Sequence, residues 1–102
     1  MAPDIIEAIK VDGKYFLTRE NGRDVIKINP KDWAKKLEDK GAGEIFLTSI
    51  NNEGTGQGFD IKLSREISES VNIPVIAHGG AGSFEHIYKV INNTQISGVS
   101  VA

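Results

Sequence analysis

Apolar and polar positions alternate along this chain in short runs, and the spacing within each run predicts its element. Ile5-Ile6-Glu7-Ala8-Ile9-Lys10-Val11 is apolar except at Glu7 and Lys10 and predicts a first strand. Asp12-Gly13 is a turn signal. Two short β-prone runs follow, Tyr15 to Arg19 and Asp24 to Ile28. Glu20-Asn21-Gly22-Arg23 lies between them, and Asn-Gly suits the positive φ angles of a tight hairpin turn. Residues 14–28 therefore read as a β-hairpin on the surface. Asn29-Pro30 then starts a helix, with a side-chain oxygen able to cap it and a proline that lacks an N–H the first turn cannot use. Trp33, Ala34 and Leu37 share one face of that helix, and Lys35, Lys36, Glu38, Asp39 and Lys40 wet the rest. Gly41 is its predicted C-terminal cap.

Glu44 to Ile50 predicts a second buried strand, followed by a polar, glycine-rich loop over 51–58. Asp60 caps the next helix, whose Leu63, Ile67 and Val71 repeat every four residues. Pro74 ends that connection, and Val75 to His78 forms a third strand. After the glycine cluster, Ser83-Phe84-Glu85-His86 opens a helix with the stripe Phe84, Ile87, Tyr88 and Ile91. Gly98 to Ala102 begins a fourth strand. Strands alternating with helices imply right-handed βαβ units and a parallel sheet. The strands are apolar on both faces, as expected where helices cover a sheet. A full (β/α)₈ barrel takes roughly 250 residues. Four parallel strands, three helices and a β-hairpin insertion after the first strand predict half of such a TIM barrel. Residues 1–102 form one half-barrel domain in this reading, cut just after its last strand begins.

Composition narrows the function classes. The 102 residues are 39% hydrophobic and 25% charged, ordinary for a globular domain. A net charge of −2 gives no broad attraction for nucleic acid. With no cysteine, disulfide and thiol chemistry are excluded, and a cytoplasmic location is expected. No signal peptide is visible in Met1-Ala2-Pro3-Asp4, and no apolar run approaches the ~20 residues that span a bilayer. No group of His, Cys, Asp or Glu has metal-ligand spacing, so neither a metal nor a cofactor is expected. No Ser/His/Asp nucleophile motif is present.

Three places carry candidate chemistry. Strand, glycine turn and helix together present backbone N–H groups to an anion, so Gly79, Gly80, Ala81 and Gly82 form a candidate phosphate cradle. The plainer alternative is a tight turn without a ligand. Its position at the end of a late barrel strand, where phosphate sites form, favours the cradle. Thr48 and Ser49 end the second buried strand, at the edge where barrel active sites are built. Glu53, on the loop that follows, is a candidate acid or base, against the plainer reading of a solvated glutamate. Glu7 puts a charge inside an apolar strand, which is costly unless paired or used. Alternation sets Glu7 on the side of Ile5 and Ile9, facing either a barrel mouth or, as an edge residue, water. His78 ends the third strand at the rim and is a candidate ligand contact, whereas His86, beside Glu85, reads as a surface residue.

Longer motifs point to a family. Gly41-Ala42-Gly43-Glu44-Ile45-Phe46-Leu47-Thr48-Ser49-Ile50, then Glu53-Gly54-Thr55 and Gly58-Phe59-Asp60, resemble the cyclase subunit of imidazole glycerol phosphate synthase. So do Ile73-Pro74-Val75-Ile76-Ala77-His78-Gly79-Gly80-Ala81-Gly82 with Glu85-His86, the hairpin and the Asp32-Trp33 helix. The resemblance covers essentially the whole chain, but only strands five to eight of that family's barrel. It implies a lyase that closes the imidazole ring in histidine biosynthesis. That reaction joins ammonia from a glutaminase partner to a phosphorylated ribulosyl-aminoimidazole carboxamide. The products are imidazole glycerol phosphate and an aminoimidazole carboxamide ribotide. It also implies that Gly79 and Gly80 hold one phosphate with help from Gly54, and that Thr48, Ser49 and Glu53 orient substrate.

The chain departs from that pattern at several points. Of the family's two catalytic aspartates, one belongs to the half absent here, and the other aligns with Glu7, one methylene longer. The loop aspartates appear as Asn51 and Glu53, and His78 stands where a small residue is common. A displacement of ~1 Å at an acid–base group can cost ~10²-fold in rate, so activity of this chain alone is expected to be weak or absent. The alternative is a non-catalytic, phosphate-binding half-barrel. Its open edges and apolar inner face would drive self-association into a two-fold homodimer that rebuilds eight strands. A stable βα domain without a ligand is the third reading.

Overall fold

A computed structural model of the chain describes residues 4–20, 23–50, 59–78 and 84–100. Nine elements follow in order: β1 (Asp4–Val11), β2 (Lys14–Arg19), β3 (Asp24–Ile26), α1 (Pro30–Asp39), β4 (Ile45–Ser49), α2 (Ile61–Ser70), β5 (Val75–His78), α3 (Phe84–Asn93) and β6 (Gly98–Ser100). They form one six-stranded sheet in the order β3-β2-β1-β4-β5-β6. β1, β4, β5 and β6 are parallel neighbours, joined through helices as right-handed crossovers require. β2 and β3 add antiparallel strands on the β1 side.

The hairpin is more than the surface excursion expected of it. Asp12 and Gly13 both take positive φ, 51° and 80°, between the paired residues Val11 and Lys14. Two such residues match the right-handed twist of the flanking strands, so β2 folds back onto β1 within the sheet. Tyr15, Leu17 and Thr18 are buried there. β3 ends at Ile26, two residues short of the predicted run.

Local capping chemistry sets the helix ends. Asn29 Oδ1 accepts from the Lys31 N–H at 2.8 Å, with Pro30 at the first helical position of α1. At the other end Gly41 takes φ +94°, one residue beyond the cap at Lys40. The Gly41 N–H bonds the Glu38 carbonyl and the Ala42 N–H reaches back to Leu37, both at 3.0 Å, the paired bonds of a Schellman ending. Asp60 Oδ1 caps α2 by accepting from the Leu63 N–H at 3.0 Å. Crosslinks between connections hold the helices in register. The Asn72 N–H donates to the Glu38 carboxylate at 2.6 Å, and Arg65 Nε donates to the Asn93 carbonyl at 2.9 Å.

The core lies between the sheet and the helices. Ile6 and Ala8 of β1, Ile45 and Leu47 of β4, and Val75 and Ala77 of β5 are buried on one face. Ala34 of α1, Leu63 and Ile67 of α2, and Val90 of α3 pack there with them. Among the described residues the helices pack on that face, and on the other face Ile5 is 69% exposed. Helix α3 is also turned from its predicted stripe. Val90 is fully buried and Ile87 half-buried, whereas Tyr88 is 73% and Ile91 46% exposed. Each residue sits ~100° round from the last, so a helix seated on Ile87 and Val90 carries their successors out of the core. Among the described residues no helix is long and apolar enough to cross a membrane.

One bond ties the hairpin to the helical layer. The Tyr15 hydroxyl donates to the Asp60 carboxylate, 2.9 Å from each oxygen, across 45 residues of sequence. Asp60 thus serves a helix end and a strand at once. Burial, then the hydrogen bond to Asp60 and the charges of Asp60 and Glu66, push the Tyr15 phenol well above its ordinary value. Asp60→Ala removes both bonds and is expected to cost about 1–3 kcal/mol in urea unfolding. The phenol predicts a slope with pH. The unfolded chain ionises it near pH ~10, while the folded state keeps its proton to higher pH. Its contribution is therefore complete below pH ~10 and is lost as pH rises toward the folded value. Tyr15→Phe should flatten that alkaline decline.

Candidate functional site

Parallel strands end together, so the residues at their C-terminal ends share one rim, where open and closed α/β sheets bind ligands. The registers pair Glu7 with Thr48, Thr48 with His78, and His78 with Ser100. Strand alternation puts all four on the face opposite the helices, and all four are half-buried. One step toward the N-terminal ends, the same face carries Ile5, Phe46, Ile76 and Gly98 as a second row. A polar rim thus sits above an apolar floor. Neighbouring strands lie about 4.8 Å apart, so the backbones at Glu7 and His78 are about 10 Å apart with Thr48 between them.

Glu7 lies on the face opposite the helices, half-buried in a strand that has a neighbour on each side, so it is not the edge residue that was one of its alternatives. One of its carboxylate oxygens is buried and makes no hydrogen bond. The Thr18 hydroxyl is buried and unpartnered too. Both residues line a cleft of about 280 Å³ with Ile5, Leu17, Ile26 and Trp33. Buried polar atoms without partners are costly, and natural structures leave few of them without a reason. The site therefore offers a carboxylate able to accept a proton, an imidazole, and hydroxyls able to orient a ligand.

The structure separates two residues that the sequence grouped. Thr48 joins Glu7 on the rim, whereas Ser49 pairs with Ala8, is 7% exposed and lies on the helix-covered face. Adjacent strand residues point to opposite sides, so both cannot serve one site through their side chains. Glu53, Gly54, Gly79, Gly80, Ala81 and Gly82 lie outside the described residues. His86 is half-buried near the start of α3. Ser100 and Thr18 were not singled out beforehand. The period of two gives the face of each, but only the register brings Ser100 beside His78. Among the described residues no three His, Asp or Glu side chains come together as metal ligands.

Comparison with known proteins places this geometry in context. A family model described as "Histidine biosynthesis protein" matches residues 3–102. Curated relatives named "Imidazole glycerol phosphate synthase subunit HisF" are similar over most of the chain. The protein from Saccharolobus solfataricus is 48% identical over 87 residues, covering 85% of this chain and 35% of the relative. That from Thermococcus onnurineus is 52% identical over 81 residues, 78% of this chain and 32% of the relative. That from Chlorobium phaeobacteroides is 47% identical over 83 residues, 81% and 33%. The chain spans about a third of the length of these relatives.

The unpartnered Thr18 hydroxyl yields a direct test. Thr18→Val replaces it with a methyl of the same shape, so the substitution should be neutral or stabilising by up to about 1 kcal/mol. A loss above about 1 kcal/mol in urea unfolding would mean that the hydroxyl has a partner.

Proposed function

The chain belongs to the histidine biosynthesis protein family, and on that premise we propose that it forms part of an ammonia-dependent cyclase site. The site would hold a phosphorylated ribulosyl-aminoimidazole carboxamide at the rim of the sheet. In this reading Glu7 is the acid–base group, and Thr48 orients the substrate beside it. Glu53 orients the substrate from its loop, and Gly79, Gly80, Ala81 and Gly82 hold a phosphate with Gly54. Ser49 would contribute through its backbone at the strand end, since its side chain faces the helices. A glutaminase that supplies ammonia is the proposed partner.

The observation that carries this reading is the pairing of Glu7 with Thr48 at the C-terminal ends of adjacent parallel strands. A carboxylate with a buried, unpartnered oxygen has the free acceptor that proton abstraction uses. The family's barrel fold supports it, because barrel sites are built at that rim. Turnover of the ribulosyl substrate with ammonium is expected to be weak or absent in this chain alone. Adding the N-terminal part of a relative should raise it. In that mixture Glu7→Gln should lower the rate by about 10²- to 10⁴-fold, the usual worth of a positioned acid–base group. Unchanged turnover in Glu7→Gln would remove Glu7 from the mechanism.

A second reading has its own support. Among the described residues the face bearing Ile5, Phe46 and Ile76 has no helix over it, and β6 has one strand neighbour. Such a face and edge favour pairing with a second copy about a two-fold axis, giving a phosphate-binding, non-catalytic homodimer. Light scattering on the eluting chain separates the cases: a dimer that dissociates in Ile5→Lys supports this reading, and a monodisperse monomer ends it.

A further inference from the structure

The hairpin covers only part of one edge of β1. β2 pairs with β1 from Ala8 to Val11, whereas β4 pairs with it from Asp4 to Ala8. Among the described residues, Asp4 to Glu7 therefore have a strand partner on one side only. The cleft of about 280 Å³ opens at that free edge, so both sides of the sheet bound it. Ile5, Glu7 and Thr18 line it from the face opposite the helices, and Leu17, Ile26 and Trp33 line it from the helix side.

This lining selects for a cation with an apolar body. Thr18 is 5% exposed, and its hydroxyl and one Glu7 oxygen are buried without partners. The register that pairs Ala8 with Leu17, carried one residue further, sets Thr18 opposite Glu7. Side chains opposed in this way have Cβ atoms about 5 Å apart, so one nitrogen bearing several hydrogens can reach both. The last torsion of a glutamate is soft, and its rotation turns the buried oxygen toward a guest. A carboxylate only accepts, and a hydroxyl can accept as well. Arg19, the cation of the lining, is held by Asp24 at 2.6 Å, so the cleft does not itself meet the charge of Glu7. Thr48, beside Glu7 on β4, carries no charge. An anion is repelled here, and a wholly apolar guest leaves the carboxylate unmet. The volume is at the small end of ligand pockets, which begin near ~300 Å³, so a single ring or short chain fills it.

We propose that this cleft binds a small organic ammonium ion, with its nitrogen on Glu7 and Thr18 and its apolar body against Ile26 and Trp33. The guest enters beside the free edge of β1, on the side of Glu7 away from Thr48. The proposal goes beyond the cyclase reading, because it needs Glu7 as an acceptor and not as an acid–base group. An occupant holds Glu7 ionised and so blocks any step in which Glu7 gives or takes a proton.

Benzylammonium is the probe, with benzyl alcohol and benzoate as its neutral and anionic counterparts. Trp33 is the one tryptophan of the chain and lines the cleft, so its fluorescence reads occupancy. The titration uses the full chain at fixed ionic strength near pH ~7, where a carboxylate is ionised and an alkylamine protonated. Benzylammonium should bind with a Kd of about 1 mM, within reach of a ligand of about eight non-hydrogen atoms. Benzyl alcohol should bind at least about tenfold more weakly, and benzoate should leave the fluorescence unchanged. Thr18→Val should weaken benzylammonium about tenfold, and Thr18→Ser, which keeps the hydroxyl, should bind as the parent does. Glu7→Gln should bring the amine and the alcohol within about twofold of each other. Should a variant fold poorly, the parent's own Glu7 and Thr18 amide resonances give the answer, since benzylammonium must shift them more than benzyl alcohol does. Equal affinity for amine and alcohol, or unchanged binding in Thr18→Val and Glu7→Gln, overturns the assignment to these two residues. No response of the fluorescence or the resonances at about twenty times that Kd overturns the site. Turnover by the assembled cyclase is a separate measurement, so the two readings fail independently.

Discussion

A β-strand has two faces, and among the described residues of this chain helices cover only one of them. Most of the structure depends on that constraint. The covered face must be apolar and closely packed, and Ile6, Ile45, Leu63, Ile67, Val75 and Val90 are essentially without solvent exposure. With a period of two, every residue committed to that core sends its neighbour to the other side. Ala77 is buried beneath α2, so His78 is on the rim. Leu47 is buried, so Thr48 is on the rim. The same rule takes Ser49 away from the site although it adjoins Thr48 in sequence. The packing of the core thus decides which side chains remain for chemistry.

The parts of the fold legible in the sequence are those set by neighbouring residues. Asn29 and Asp60 cap their helices because a short side chain reaches N–H groups two or three residues on. Gly41 ends α1 because the left-handed φ there suits glycine. The alternation of strands and helices gave the parallel sheet, and long motifs gave the family. Less visible was anything fixed by partners far along the chain. The hairpin pairs edge-on with β1 and buries Tyr15, whose hydroxyl finds Asp60 across 45 residues. The apolar stripe of α3 includes Tyr88 and Ile91, yet packing seats the helix on Ile87 and Val90. Four apolar residues on a short helix allow more than one rotation, and the sheet beneath selects among them.

The candidate site was legible residue by residue and not as an arrangement. Glu7 could be picked out as a charge inside an apolar strand, and Thr48 and His78 by their place at the C-terminal ends of strands. That they form one row, with Ser100 as its fourth member, is a property of register alone. Register in a parallel sheet is set by which apolar residues meet in the core, so the row follows indirectly from the hydrophobic pattern. Family membership adds the meaning of that rim. It does not by itself carry the relatives' whole activity to a chain spanning a third of their length.

The two sides of the sheet treat their polar groups in opposite ways, and this contrast is the best guide to function. On the helix side, Asp60 accepts from a phenol and from a helix N–H, and Ser68 accepts from the Gln95 N–H. These bonds fasten elements to one another and hold the core in one arrangement. On the rim side, a Glu7 oxygen and the Thr18 hydroxyl are buried without partners. Folding alone does not select for such groups, since each lowers stability by leaving a desolvated acceptor unmet. A fold that satisfies polar atoms where they hold it together, and leaves some unmet on the opposite face, gives up stability there that a bound group would return.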